Sequence, residues 1–236
     1  MDINKTKVYI AGTEPLEDES VFLQLYEMAS PERKKKIDQY RYSKDKRLSL
    51  AAETLLKRAL EQNGISEFEL QADEYGKPFL VGHPSVQFNL SHSEERVMCV
   101  ISGLEVGCDV EKVKATDYKI ANRFFTESEC AWLAGEQIDL NGEGNNYEEQ
   151  KRSRFFRLWT LKESFMKAVG LGMRLSLKDF SFHVEQDQVC IKQGVNQEQY
   201  YFKEYDKNDG YKYAVCSLQP EIEDITEIFL NGRING

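Results

Sequence analysis

No apolar run in the 236-residue sequence approaches the roughly 18 residues needed to span a bilayer, so no membrane-crossing segment is expected. The opening Met1-Asp2-Ile3-Asn4-Lys5 places no apolar segment behind a basic start, so no secretory signal is expected. Histidine is scarce: His83, His92 and His183 are all there is. None of the five cysteines (Cys99, Cys108, Cys130, Cys190, Cys216) is spaced from another as CxxC. A structural zinc site needs such paired ligands, and an odd number of cysteines makes a poor disulfide framework. Reduced, partly buried thiols in a cytoplasmic protein fit the pattern better. Surplus positive charge is missing too. Lys and Arg number 31 against 40 Asp and Glu, a net charge of −9, whereas nucleic-acid and membrane-surface binders lean the other way. Apolar material is ample. Hydrophobic residues at 41%, with 11% aromatic, supply a core and exclude wholesale disorder. The length suits one large domain or two small ones.

Lys7–Ala11 reads as a first strand. Ser30-Pro31-Glu32 has the marks of a helix start: a capping hydroxyl, proline at the first helical position and an early acid. A second helix is expected from about Lys44 to Gln62, with Leu48, Ala51, Ala52, Leu55, Leu56, Ala59 and Leu60 on one face and a stop at Asn63-Gly64. Tyr75-Gly76-Lys77-Pro78 is a turn. Val86, Phe88 and Leu90 alternate with polar residues as in a half-buried strand. Arg96–Ser102 and Val106–Glu111 follow across short turns, which predicts an antiparallel meander of three strands beside one long helix. Thr126-Glu127-Ser128-Glu129 forms a capping box. Asn141–Arg154 is polar and rich in Gly and Asn, the composition of a loop, and Phe155–Val169 is a helix. Strands are expected at 180–185, 188–192, 200–205 and 211–217, the last two joined by Asn208-Asp209-Gly210. Each half therefore holds a helix and an antiparallel sheet.

Several residues in this frame can carry chemistry. On a strand, Gly107, Asp109 and Glu111 share one face. Two carboxylates so placed are either a solvated strand face or ligands for a hard divalent cation such as Mg²⁺. In the helix 155–169, Lys162 falls inside the apolar arc and needs a partner for its ammonium. Glu163 and Lys167 border that arc, either as an i,i+4 ion pair or as a third carboxylate beside a phosphate-binding cation. Asn89-Leu90-Ser91-His92-Ser93 leads into a turn, where side chains and amides can hold an anion. Lys77 and the basic run Arg33–Lys36 are surface charge or, against a phosphate ligand, anchors. Three acids with several bases describe a site for a metal-bound diphosphate.

The strings Phe88-Asn89-Leu90-Ser91-His92-Ser93, Gly107-Cys108-Asp109-Val110-Glu111 and Trp159-Thr160-Leu161-Lys162-Glu163-Ser164-Phe165-Met166-Lys167 occur in that order. They resemble the signature blocks of the 4′-phosphopantetheinyl transferases, and the length resembles the long surfactin-synthetase-activating type. The resemblance implies an α+β fold, a pseudo-dimer of two similar subdomains, each a small antiparallel sheet packed on a long helix, divided as 1–104 and 105–236. It implies an enzyme that transfers the phosphopantetheine arm of coenzyme A to a serine hydroxyl of an acyl or peptidyl carrier protein and releases adenosine 3′,5′-bisphosphate. The implied Mg²⁺ ligands are Asp109, Glu111 and Glu163. Arg33, Lys36, Arg47, Ser49, Lys77, Ser91, His92 and Lys167 match positions that hold coenzyme A; Arg33 stands where the best-known relatives carry Lys. Glu163, Lys167 and Asp109 are the implied catalytic groups, with Glu163 taking the serine proton, Lys167 facing the leaving bisphosphate and His92 gripping phosphate. Peptide or polyketide synthesis is the expected setting, with fatty-acid carriers or a non-catalytic coenzyme A-binding module as alternatives. A monomer with neither nucleic-acid nor membrane partners is expected. Lys114, Lys119, Arg123, Phe124 and Phe125 form either a carrier-docking patch or, for the two phenylalanines, core.

Overall fold

The computed structural model describes residues 4–135, 145–185 and 188–231. The chain opens with β1 (Thr6–Gly12), α1 (Glu19–Glu27), α2 (Pro31–Gln39) and α3 (Ser43–Gln62). A hairpin of β2 (Leu70–Ala72) and β3 (Pro78–Leu80) precedes β4 (Gln87–Ser93) and β5 (Arg96–Ser102). The Ser30 hydroxyl accepts from the Arg33 amide and fixes the start of α2, with Pro31 in its first turn. The predicted apolar face of α3 is buried, and Gly64 ends it with φ 81°. The second half runs β6 (Val106–Lys112), α4 (Ala121–Phe124), α5 (Glu127–Ala134), α6 (Asn145–Val169), β7 (Phe180–Glu185), β8 (Gln188–Gln193), β9 (Tyr201–Tyr205), β10 (Tyr211–Ser217) and β11 (Ile222–Glu227). The capping box opens α5 as expected, with Thr126 and Glu129 bonded reciprocally. Among the described residues no helix is long and apolar enough to cross a membrane.

The layers run helix, sheet, sheet, helix. α3 packs on a sheet of order β11-β1-β5-β4, and α6 on a sheet of order β6-β10-β9. One core lies between α3 and the first sheet, and another surrounds α6. Between the sheets, Val8, Ile10, Met98 and Val100 meet Val106, Cys108, Val110, Tyr213 and Val215. β5 is thus buried on both faces, which is why its sequence is a near-continuous apolar run. Cys99, Cys108 and Cys216 are buried free thiols in these strands. The expected α+β architecture of two sheet-and-helix halves is present.

Three expectations need correction. The meander stops at two strands: β4 pairs with β5, but β6 pairs with β10. The other edge of β5 is already taken by β1, so the turn after Ser102 carries the chain into the second sheet. The first sheet is mixed, because β11 returns from the second half and lies parallel to β1. Ile228 and Leu230 then bury in the first core, so a strict division at 104/105 leaves out this last segment. Finally, Asn145–Arg154 is helical and lengthens α6, while 141–144 lie outside the described residues. Polar composition concealed it: Glu, Gln, Lys and Arg are good helix formers. Tyr147 Oη donates to the Ala134 carbonyl at 3.4 Å and Arg154 Nη1 to the Trp132 carbonyl at 3.1 Å, tying these turns to α5.

Candidate active site

The site lies where β4 meets the free edge of β6. Pairing with β10 satisfies only one edge of β6, and an unpaired edge strand exposes its amides. Side chains of β4 take the place of a neighbouring strand. Asn89 Oδ1 accepts from the Cys108 amide at 3.0 Å, Ser91 Oγ from Val110 at 3.3 Å and Ser93 Oγ from Lys112 at 3.2 Å. The polar face of β4, read from alternation as solvent-facing, is therefore buried, and Leu90 is only half-buried.

On β6, Asp109 is buried and its Oδ1 is held by two donors. Ser91 Oγ donates at 2.8 Å and Lys167 Nζ at 2.6 Å. The same ammonium reaches Ser91 Oγ and the Cys108 carbonyl, both at 3.1 Å. Among the described residues, Asp109 Oδ2 is buried without a hydrogen-bond partner. Two residues on, Glu111 Oε2 accepts from Ser93 Oγ at 2.7 Å. Lys167 comes from α6, which lies against β6 because residue 107 is glycine. The ammonium is thus paired across elements with Asp109, and Glu163 acts on it as a nearby charge.

Burial lifts the pKa of Asp109, more than the Lys167 charge and the Ser91 hydroxyl pull it down. Burial and then the Asp109 charge raise Glu163, with Glu111 adding to it. Glu111 is raised by burial and by Asp109, against the pull of Ser93. The three acids therefore feel one another. Burial opposes the charge on Lys167, yet Asp109 holds its pKa above the ordinary value. Among the described residues no three His, Cys, Asp or Glu side chains are already gathered as a metal cage. The donor set nevertheless suits a hard cation. Asp109 Oδ2 is an orphaned buried oxygen, and burial raises all three carboxylates, with the Asp109 charge adding to the shifts of Glu111 and Glu163.

The remaining candidates divide into groups. Arg33 Nε pairs with Glu53 Oε2 at 2.7 Å and its Nη1 donates to Ser49 Oγ at 3.1 Å. Arg47 stands apart, 3.7 Å from Glu17. Lys36 is exposed, and its charge acts on His92. His92 has a lowered pKa, first from desolvation, then from Lys167 and Lys36. Lys77 Nζ crosses between the halves and donates to the Ala168 carbonyl near the end of α6, at 3.0 Å; burial lowers its pKa. Lys162 finds its partner inside the core, 2.9 Å from Glu129. Of the proposed patch, Phe125 is core, Phe124 packs edge-on to Trp159, and Lys119 and Arg123 are exposed. Sequence reasoning missed Glu53, and it missed that Asn89 and Ser93 would bind the edge of β6 and that Gly107 would admit α6. The shared parity of 89, 91 and 93 was the available signal for Asn89 and Ser93.

Residues 105–216 match the family described as the 4′-phosphopantetheinyl transferase superfamily, and residues 14–103 match that described as 4′-phosphopantetheinyl transferase, N-terminal. The 4′-phosphopantetheinyl transferase Sfp of Bacillus subtilis (strain 168) is 34% identical over 204 residues, covering 84% of this chain and 87% of that one. The 4′-phosphopantetheinyl transferase gsp of Aneurinibacillus migulanus is 35% identical over 212 residues, covering 89% and 84%. A crystal structure of Thermotoga maritima holo-[acyl-carrier-protein] synthase aligns with a TM-score of 0.39 and 21% identity, over 48% of this chain and 62% of that one, a likeness too slight to carry weight.

Proposed function

Because the chain belongs to the 4′-phosphopantetheinyl transferase family, we propose that it moves the phosphopantetheine arm of coenzyme A onto a serine hydroxyl of a carrier protein domain. Adenosine 3′,5′-bisphosphate is the second product. The acceptors are carriers of nonribosomal peptide or polyketide synthesis, a reading that rests on similarity to Sfp and gsp. The observation that carries the proposal is the Ser91–Asp109–Lys167 junction with its orphaned Asp109 Oδ2.

In the transfer, the serine oxygen forms a bond to the β-phosphorus of coenzyme A and the bond to the bisphosphate oxygen breaks. Such chemistry depends on positioning and charge neutralisation. Asp109, Glu111 and Glu163 would hold Mg²⁺, which when bound offsets the negative charge of the diphosphate. Glu163 takes the serine proton as the general base. Lys167 presents a persistent positive charge to the leaving oxygen, because Asp109 keeps it protonated. His92, which feels the charges of Lys167 and Lys36, grips phosphate by donating a ring N–H, and Lys77 is a further anchor. Arg33 and Ser49, already joined, form a second anchor, and Arg47 a third. The chain acts as a monomer in the cytoplasm, consistent with its buried free thiols and two-half layout.

Mass spectrometry of an apo carrier protein incubated with the enzyme, coenzyme A and Mg²⁺ tests this. Gain of one phosphopantetheinyl group is expected. An unmodified carrier, with coenzyme A bound but intact, would instead indicate a binding module.

A further inference from the structure

Two serines on β4 and two acids on β6 are matched rung for rung. Ser91 Oγ accepts from the Val110 amide and donates to Asp109 Oδ1. Ser93 Oγ accepts from the Lys112 amide and donates to Glu111 Oε2. Each hydroxyl thus receives the amide that follows the acid it serves. A hydroxyl has one proton, and an amide on its lone pair turns that proton toward the carboxylate. Residues two apart on a strand repeat by about 6–7 Å, so the serine spacing reproduces the carboxylate spacing. Asp109 has Lys167 as a further anchor, whereas the hydrogen bond found for Glu111 comes from Ser93. Glu111 is also the longer, half-exposed side chain and has more rotamer freedom to lose.

We propose that Ser93 is a positioning residue for Glu111. It pins Oε2 and fixes the direction of the carboxylate, leaving Oε1 to serve the metal beside Asp109 Oδ2. This inference rests on the reading of Glu111 as a metal ligand. Loss of a group that orients a ligand typically weakens metal affinity by about ten- to hundred-fold.

The test is a titration of the full-length enzyme, with coenzyme A present, by Mn²⁺, whose free ion is read by electron paramagnetic resonance. Ser93→Ala is expected to weaken Mn²⁺ binding about ten-fold or more, and Ser93→Thr, which keeps the hydroxyl, to restore it. Ser93→Cys, close in shape but a weak donor, is expected to behave like Ala, and it covers the case in which the alanine variant does not fold. In a Glu111→Gln background, adding Ser93→Ala should do little further harm, because the two act as one unit. Additive losses, or native affinity in a folded Ser93→Ala or Ser93→Cys variant while Glu111→Gln is impaired, overturn the role of Ser93. Native affinity in Glu111→Gln itself overturns the ligand reading beneath it.

Discussion

The backbone of Gly107 lies directly against that of Ser164. A β-carbon on residue 107 would overlap the Ser164 carbonyl oxygen and the Ala168 amide nitrogen, and would stand 2.9 Å from the carbonyl carbon of Lys167. These neighbours are helix backbone, which cannot swing aside as a side chain can. The absence of one methyl group therefore sets how closely α6 approaches β6, and with it the 2.6 Å contact between Lys167 and Asp109.

Gly107→Ala is accordingly expected to displace α6 and to lower stability by about 1–3 kcal/mol, the usual range for overpacking. Transferase activity should fall more than the lost stability explains, since Lys167 and Glu163 move with the helix. Urea unfolding and steady-state kinetics on the same preparation decide it. A fully active, equally stable alanine variant would show that the close approach is incidental.

Lys162 and Glu129 form a buried pair at 1% and 0% side-chain exposure. The Lys162 ammonium also donates to the carbonyls of Leu177 at 2.7 Å and Phe180 at 2.9 Å, while Glu129 accepts from the amides of Phe182 and Thr126. Lys162→Met should reduce unfolding free energy by about 3–5 kcal/mol, because it strands a buried carboxylate. Adding Glu129→Gln should recover part of that loss. Chemical denaturation measures both, and a double variant weaker than the sum of the singles contradicts the pairing.

Glu94, between β4 and β5, binds Lys44 at the start of α3 and Lys114 beyond β6, the latter at 2.8 Å. Hydrogen bonds from Lys114 and Lys44 lower its pKa from 4.5 to about 2. A carboxylate depressed in the folded state contributes stability above its unfolded value and loses it as pH falls through the folded one. Glu94→Gln should therefore be the less stable protein above pH 4.5, and the difference should shrink toward pH about 2. A third of the side chain is exposed, so the gap should stay below about 1 kcal/mol. A gap independent of pH across that window would assign the stability to something other than these ion pairs.

Two lysines at the site should separate in kinetics. Lys167→Ala is expected to lower kcat by about 100-fold or more, the scale of losing a preorganised charge at a developing anion. Lys77→Ala should act mainly on the KM for coenzyme A. If both variants change kcat and KM alike, the division between transition-state charge and substrate anchor is wrong.

The amino-acid sequence by itself determined the local elements whose signals are local. The apolar stripe of α3, the Ser30 and Thr126 caps and the turn at Asn208-Asp209-Gly210 all occur as expected, because helix faces, caps and tight turns depend on residues a few positions apart. The three blocks that carry the family resemblance were likewise visible, and with them Ser91, Asp109 and Lys167. Tertiary structure alone decided how strands pair and what the buried polar atoms meet. The β6–β10 and β1–β11 pairings join residues about a hundred or more positions apart, and such pairing is set by which edges remain free. The same holds for Ser93 and Gly107. One looked like hairpin polarity and the other like an ordinary strand residue until β6 and α6 were laid against them, since a hydrogen bond or a close approach belongs to both surfaces and is written in neither alone.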